Sequence, residues 1–121
     1  MNKFLGSGYI SIEPELRCTS SGKKVCNFTL AIRRTKEMSD FLPVICWEST
    51  ADFVMKYFHK GSRIEVEGHL QQRKWTDSDG TNHSRIEVIA ENIGFGERAV
   101  AKENEMQEVS GNDGLELPNL P

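Results

Sequence analysis

The strongest regularity in the chain is an alternation of hydrophobic and polar positions that begins at Arg63 and continues to Trp75. A period of two is what a strand half-buried on a sheet requires. A polar segment, residues 77–82, follows, and the alternation resumes over residues 85–93. The sequence therefore predicts a long β-hairpin with a polar tip. The residues predicted to face inward are Ile64, Val66, Gly68, Leu70, Ile86, Val88 and Ala90.

Three further strands are predicted before the hairpin, over residues 3–12, 24–34 and 41–47. Residues 13–15 contain Pro14, and we expect them to break the first strand. The second and third strands each have one apolar parity, which we assign to the core. Its members are Cys26, Phe28, Leu30, Ile32, Leu42, Val44 and Cys46.

A short helix is predicted over residues 50–59, between the third and fourth strands. Ser49 and Asp52 have the spacing of a capping box, and Lys60-Gly61 supplies a stop signal. Five short strands with a helix after the third form the layout of an all-β OB-fold barrel, whose binding face lies on its second and third strands and its hairpin loops. The sequence thus predicts one OB-fold domain over residues 1–96, with long hairpin extensions.

Charge is unevenly distributed along the chain. Residues 1–96 contain 13 Lys and Arg against 12 Asp and Glu, whereas residues 97–121 contain 2 against 6. The net charge of −3 therefore comes from the C-terminal segment, and the folded part is free to concentrate cations on one face. Residues 97–121 lack hydrophobic periodicity, and we predict that they form an acidic, disordered tail.

The three cysteines, Cys18, Cys26 and Cys46, have no CxxC spacing, so the sequence predicts neither a disulfide framework nor a metal site, and no cofactor. Cys26 and Cys46 fall in apolar strand patterns, which favours a role as small core residues. The N-terminus has no cleavable signal pattern, and no apolar run approaches membrane-spanning length. We therefore expect a cytoplasmic protein with no membrane partner.

Aromatic side chains occupy positions that a half-buried sheet would normally leave polar. Phe41 and Trp47 share the face of the third strand opposite the core, and Trp75 lies beside Arg73 and Lys74 near the hairpin tip. One interpretation is that the aromatics of the third strand pack beneath a helix, a partner protein or a second subunit. The other is that these side chains contact a charged, planar ligand, for which nucleic acid is the best match.

Catalysis is not indicated by the sequence. His59, His69 and His83 are dispersed along the chain, and no nucleophile–base pair, phosphate loop or metal-ligand spacing accompanies them. We predict that the chain is not an enzyme.

A series of short motifs, taken in order, resembles the bacterial-type single-stranded DNA-binding proteins. The resemblance covers residues 2–95, and it rests on the order and spacing of the motifs rather than on any one of them. The motifs are Asn2-Lys3, Glu13-Pro14-Glu15-Leu16-Arg17, Ser21-Gly22, Phe28-Thr29-Leu30-Ala31, Asp40-Phe41, Val44-Ile45-Cys46-Trp47, Lys60-Gly61-Ser62, Val66-Glu67-Gly68-His69-Leu70 and Arg73-Lys74-Trp75-Thr76-Asp77 with Gly80.

The resemblance implies an OB-fold subunit, usually assembled as a homotetramer, that binds single-stranded DNA without sequence preference. It also implies a role in DNA replication, recombination or repair at the nucleoid. The family's base-stacking aromatics carry over onto Phe41, Trp47 and Trp75, and its backbone-contacting cations onto Lys3, Lys60, Arg73 and Lys74. Further cations that we expect to neutralise phosphates are Arg33, Arg34 and Lys36.

The chain departs from the family's pattern in two places. Residues 33–36 carry cations where a further stacking aromatic is common, so we expect somewhat weaker stacking and a steeper salt dependence. Residues 115–121 lack the terminal Phe and the dense Asp cluster with which family members recruit replication and repair enzymes. Recruitment of such partners through the tail is therefore doubtful.

Overall fold

The computed structural model describes residues 1–96, and the predicted tail, residues 97–121, lies outside the described residues. The elements are β1 (Phe4–Cys18), β2 (Lys24–Arg33), β3 (Ser39–Trp47), α1 (Glu48–Tyr57), β4 (Arg63–Thr76) and β5 (Asn82–Phe95). The strands form a closed barrel in the order β1-β2-β3-β5-β4, and β4 also pairs with β1. The pair β3–β5 is parallel and the others are antiparallel. The predicted all-β barrel, with its helix after the third strand, is confirmed.

The barrel interior is filled by the apolar side chains that alternate along one face of each strand. Its buried members include Ile10, Cys26, Phe28, Leu30, Val44, Cys46, Ile64, Val66, Val88 and Ala90. Cys26 and Cys46 are cross-strand partners on β2 and β3. Burial raises the pKa of the Cys26 thiol to about 11 and that of Cys46 to about 12, so both stay protonated at neutral pH. They act as small core residues, as predicted.

The helix begins two residues earlier than predicted, and the capping-box prediction is wrong. Its N-cap residue is Trp47, which makes no side-chain capping hydrogen bond. Ser49 already lies inside the first turn, so its hydroxyl is not at the N-cap position. Glu48 has a positive φ of 52°, so the change from extended strand to helix is made at one residue without a capping turn.

The C-terminal end of α1 lies two residues before the predicted end at residue 59, and Lys60-Gly61 lies in the turn that follows the helix rather than at its end. The helix ends at Tyr57, Phe58 follows in an extended conformation, and Gly61 has a φ of +93° that favours glycine. The extended backbone at Phe58 directs its ring into the core, where the residue is only 1% exposed. Within residues 1–96, no helix has the length and apolar character needed to cross a membrane.

The first strand does not end before Pro14, and the predicted break at residues 13–15 is wrong. β1 continues to Cys18 because its ladder with β2 accommodates the proline through two register shifts, between Ile10 and Ile12 and between Ile12 and Glu15. Pro14 falls within the second shift, where no cross-strand partner requires an N–H group from it.

The long hairpin of β4 and β5 has the predicted parity but extends beyond the barrel. Ile64, Val66 and Val88 are buried as expected. Leu70 and Ile86 share that parity but are exposed, so the prediction that they are core residues is wrong. Within residues 1–96, β4 pairs with β1 only up to Gly68 and β5 pairs with β3 only from Val88 onward, so Leu70 lies at the rim of the closed sheet and Ile86 lies beyond it.

We expect Gly68→Ala to destabilise the fold, because a Cβ at this position would lie 2.0 Å from the backbone oxygen of Ile89. Gly68 follows a register shift in the β4–β5 ladder, which brings its Cα close to the backbone of Ile89. Because that backbone is part of the ladder, it cannot move away without breaking the pairing of the two strands. The free energy of unfolding should fall by about 1–3 kcal/mol, measured by urea denaturation.

Gly94→Ala is the matched control for this substitution. The closest atom to a Cβ at Gly94 is the carboxylate oxygen Oε1 of Glu65, 3.2 Å away at the end of a flexible side chain. This variant should retain nearly all of the stability of the wild-type protein. Equal losses in the two variants would show that the backbone contact at Gly68 is not the cause.

Candidate nucleic-acid interface

Two aromatic side chains project from the outer face of β3. Phe41 is 61% exposed and Trp47 is 38% exposed. Their cross-strand partners on β2 are Ala31 and Val25, respectively. The sequence-predicted aromatics of this strand are therefore accessible to a ligand that stacks on them.

Ile45 lies on the same outer face between the two aromatics, yet it is buried. The cause is the parallel pairing of β3 with β5, which places Ile45 beside Ile89. Of the four apolar side chains of this face, Pro43 and Ile45 in the middle are partly or fully buried, and the rings of Phe41 and Trp47 on either side of them remain exposed.

The outer face of the hairpin carries a second group of aromatic and cationic side chains. Arg73 and Trp75 of β4 pair with Arg85 and His83 of β5, respectively. The guanidinium carbon of Arg73 lies 4.3 Å from the centroid of the Trp75 ring, a cation–π contact. The His83 ring stacks on Trp75 with a centroid distance of 5.3 Å and an angle of 18°. Trp75 is therefore in contact with two side chains of its own hairpin.

The His83 ring is held in turn by the hairpin loop. Its Nε2 atom lies 2.6 Å from Oδ2 of Asp77, the residue that follows β4. Asp77 also accepts hydrogen bonds from the backbone N–H groups of Asp79 and Thr81, which fixes the loop. The tip of the hairpin is thus ordered by its own polar side chains.

The parallel pairing of β3 with β5 joins these two groups into one surface. Val44 pairs with Val88 and Ile45 with Ile89, so outward residues of β3 lie beside outward residues of β5. We refer to this surface as the aromatic–arginine face, and it consists of Phe41, Trp47, Arg73, Trp75 and Arg85. A flat, negatively charged ligand could contact its rings and its guanidinium groups together.

Three of the predicted cations lie near the end of β2 and in the loop that follows. Arg33 pairs with Ser39 on the outward side of the β2–β3 ladder, and Lys36 lies in the loop between these strands. Arg34 is held by Asp40: its Nε atom lies 3.2 Å from Oδ2, and its Nη2 atom also contacts Oδ1. The hydrogen bond from Arg34 lowers the pKa of Asp40, so this carboxylate remains charged and partly neutralises the arginine.

The other predicted cations are dispersed. Lys74 has the opposite parity from Arg73 and pairs with Ser84, so it lies on the other side of the hairpin. Lys3 binds Glu67 at 3.1 Å, and this hydrogen bond lowers the pKa of the Glu67 carboxyl. Lys60 follows α1, where its backbone N–H donates to Glu13. No contact among residues 1–96 connects Lys3 or Lys60 with the aromatic–arginine face.

Sequence reasoning missed three residues of this region, namely His83, Arg85 and Glu87. Glu87 is buried on the outer face, with its carboxylate bound to both Arg73 and Arg85. The hairpin register could have identified all three, because each lies opposite a residue of β4 whose side chain faces outward. Among residues 1–96, no cluster of three or more His, Cys, Asp and Glu side chains has the arrangement of a metal site.

The fold and this surface together define a class of protein. A closed five-stranded barrel with a helix between its third and fourth strands is an OB-fold, and its aromatic and cationic side chains lie on β3 and the β4–β5 hairpin, within the region where OB-folds bind their ligands. The model of the single-strand binding protein family matches residues 1–96, and the chain belongs to that family.

Curated relatives support this membership. The chain is 33% identical to single-stranded DNA-binding protein 3 of Clostridium acetobutylicum, over 96% of this chain and 85% of that protein. It is 38% identical to single-stranded DNA-binding protein 1 of Staphylococcus aureus strain Mu50, over 78% of this chain and 65% of that protein. The resemblance found in the sequence is confirmed. Because this is a family of binding proteins, the prediction that the chain is not an enzyme is confirmed as well.

Proposed function

We propose that this chain binds single-stranded DNA without sequence preference through the aromatic–arginine face. The observation that carries the proposal is the joining of exposed Phe41 and Trp47 with the Arg73–Trp75 contact and Arg85 on one surface. Family membership and the names of the relatives point to the same ligand.

The chemistry of this face suits unpaired DNA. Nucleobases stack on aromatic rings with about 1–3 kcal/mol per base, and every base has a flat face, so such binding is indifferent to sequence. Guanidinium groups neutralise phosphates and release counterions, which makes the affinity fall as salt rises. Duplex DNA hides its base faces, so the same surface prefers separated strands.

We propose that the remaining predicted cations contact other phosphates of the same DNA strand. Arg33, Arg34 and Lys36 lie at the end of β2 and in the loop that follows it, and the chain continues from there to Phe41, so we propose that they receive phosphates on one side of the stacked bases. Lys3, Lys60 and Lys74 lie elsewhere on the barrel and hairpin, and they would contact a strand that wraps around the subunit.

We further propose a homotetramer. Leu5 of β1 is 73% exposed and lies opposite Glu67 on the outward side of the β1–β4 ladder, beside a shallow groove that Ser7, Glu65 and Asn92 also line. The proposed assembly rests on the resemblance to the single-stranded DNA-binding proteins, and a subunit contact over β1 would remove Leu5 from water. A role in DNA replication, recombination or repair at the cytoplasmic nucleoid follows from the proposed activity.

The test is a titration of the intrinsic tryptophan fluorescence with an oligo-dT strand at two salt concentrations. We expect strong quenching, with an affinity that falls at the higher salt and with much weaker binding of a duplex of the same length. Absence of quenching and of binding at low salt would overturn the proposal. The Phe41 and Trp47 surface would then be a site for a protein partner.

A further inference from the structure

Among residues 1–96, Glu87 is the one charged residue that is buried, with 5% of its surface exposed. It does not lie in the barrel interior. Glu87 has the outward parity of Ile89, two residues farther along β5, and therefore lies beside β3 within the aromatic–arginine face. A carboxylate at the centre of a surface for a polyanion opposes binding by its charge, so its position calls for a different explanation.

Glu87 binds two arginines through a single oxygen atom. The Nε atoms of Arg73 and Arg85 lie 3.0 Å and 2.9 Å, respectively, from its Oε2 atom. A guanidinium group has five N–H donors, and each of these arginines uses one of them on Glu87. Among the described residues, the terminal Nη atoms of both arginines have no hydrogen-bond partner. Each guanidinium group is thus fixed at its Nε atom. Its two Nη atoms remain available to bind a phosphate with two parallel hydrogen bonds.

The carboxylate also determines where Arg73 lies relative to Trp75. Arg73 and Arg85 are directly opposite each other on the hairpin, where two like charges repel. Bridging by Glu87 holds both side chains toward the barrel, and in this position the guanidinium carbon of Arg73 lies 4.3 Å from the centroid of the Trp75 ring. One of the two side-chain contacts of the indole, the one with Arg73, therefore depends on Glu87, and the other is with His83.

We infer that Glu87 is a positioning residue of the DNA-binding face, an inference that rests on the function proposed above. It contacts no ligand itself. It orders Arg73 and Arg85 for phosphate and keeps Arg73 in contact with Trp75 before a base arrives, which lowers the ordering cost of binding. Arg73, Arg85 and Glu87 together carry a net charge of +1. We infer that they contribute to the affinity for DNA through the fixed positions of the two guanidinium groups more than through this charge.

The substitution Glu87→Gln separates the effect of the charge of Glu87 from the effect of its positioning of the arginines, because the two effects change the affinity for oligo-dT in opposite directions. It raises the charge of the face by one, so an effect of charge alone would tighten oligo-dT binding and steepen its salt dependence. Loss of positioning instead weakens binding, roughly tenfold at moderate salt. The slope of log K against log salt becomes shallower by about 1, since one ordered phosphate contact is lost.

Glu91→Gln is the matched control. Glu91 is a glutamate of the same strand with the same parity, and it also pairs with a basic side chain, His69, at 2.7 Å, but it is exposed and does not contact either arginine. This variant makes the same change in charge and should bind oligo-dT as tightly as the wild-type protein or more tightly. Both variants are compared at a temperature where urea denaturation shows them to be folded.

A second variant keeps the inference testable even where Glu87→Gln does not fold. Arg73→Lys preserves the charge, but an ammonium group has a single nitrogen and cannot bond to Glu87 while it also presents two nitrogens to a phosphate. We expect it to weaken binding roughly three- to tenfold. Wild-type affinity in Arg73→Lys, or equal tightening in Glu87→Gln and Glu91→Gln, would overturn the inference while leaving the proposed function intact. A wild-type protein that does not bind oligo-dT would overturn both.

Discussion

Replacing Phe58 by alanine should lower the free energy of unfolding by about 3–5 kcal/mol, the range for removing a fully buried aromatic ring. Phe58 directly follows α1, and its ring stacks on Phe95 of β5 at 5.2 Å with an angle of 21°. Phe53 completes the contact from the helix, 6.0 Å from Phe58. Without the Phe58 ring, the helix would cover an empty space at the end of the barrel.

Urea denaturation of the variant, followed by circular dichroism, measures this loss. Phe41→Ala is the matched control, because it is the same substitution at an exposed position and should change the stability by less than about 0.5 kcal/mol. A loss below about 1 kcal/mol for Phe58→Ala would mean that the neighbouring aromatic rings collapse into the space. The proposal that the Phe58 ring is needed to fill the space between α1 and the barrel would then be wrong.

The sequence specified this core well because its strands alternate cleanly. Cys26, Phe28, Val44 and Ile64 were all assigned to the interior from a period of two, and all are buried. Burial on one face of a strand is a requirement that each residue meets locally, so it can be read from the sequence without knowledge of the partner strands. The presence of a helix between β3 and β4 was also predicted from its spacing of apolar residues, but each of its ends was misplaced by two residues.

Element ends were less predictable because neighbouring strands decide them. Pro14 is a strong break signal by itself, but the structure places it in a register shift where its missing N–H is not needed. Ser49 and Asp52 match a capping box, but the chain enters the helix earlier, through the positive φ of Glu48. In both cases the surrounding structure decided where the element begins or ends. The local residues have the properties of a strand break or a helix cap, but the fold does not use them in that role.

The exposed aromatics of the candidate site were readable, whereas its charged network was not. Phe41 and Trp47 could be found because apolar side chains opposite a core face are unusual. Glu87 could not, because nothing in its neighbourhood along the chain distinguishes a buried glutamate from an exposed one. A period of two assigns Glu87 to the outward face, but its burial depends on the contacts that its carboxylate makes with Arg73 and Arg85 in the folded hairpin.

The double variant Phe41→Ala/Trp47→Ala should bind single-stranded DNA about 30-fold to 10⁴-fold more weakly, because each lost stacking contact is worth about 1–3 kcal/mol. The two rings lie six residues apart on β3, about 20 Å along an extended strand, so their contributions should add. Trp75 is left unchanged because its ring is held by Arg73 and His83, and its removal would disturb the hairpin as well as stacking. Fluorescence anisotropy of a labelled oligo-dT measures the affinity.

Salt dependence distinguishes this loss from the loss of a cation. Neither substitution changes a charge, so the slope of log K against log salt should stay at its wild-type value while the affinity falls at every salt concentration. The matched controls are Phe41→Tyr and Trp47→Phe, which keep a ring at each position and should recover most of the affinity. An unchanged affinity in the double alanine variant would exclude stacking on β3. A shallower slope would instead mean that the two rings act by ordering the arginines beside them, and that DNA is held chiefly through its phosphates.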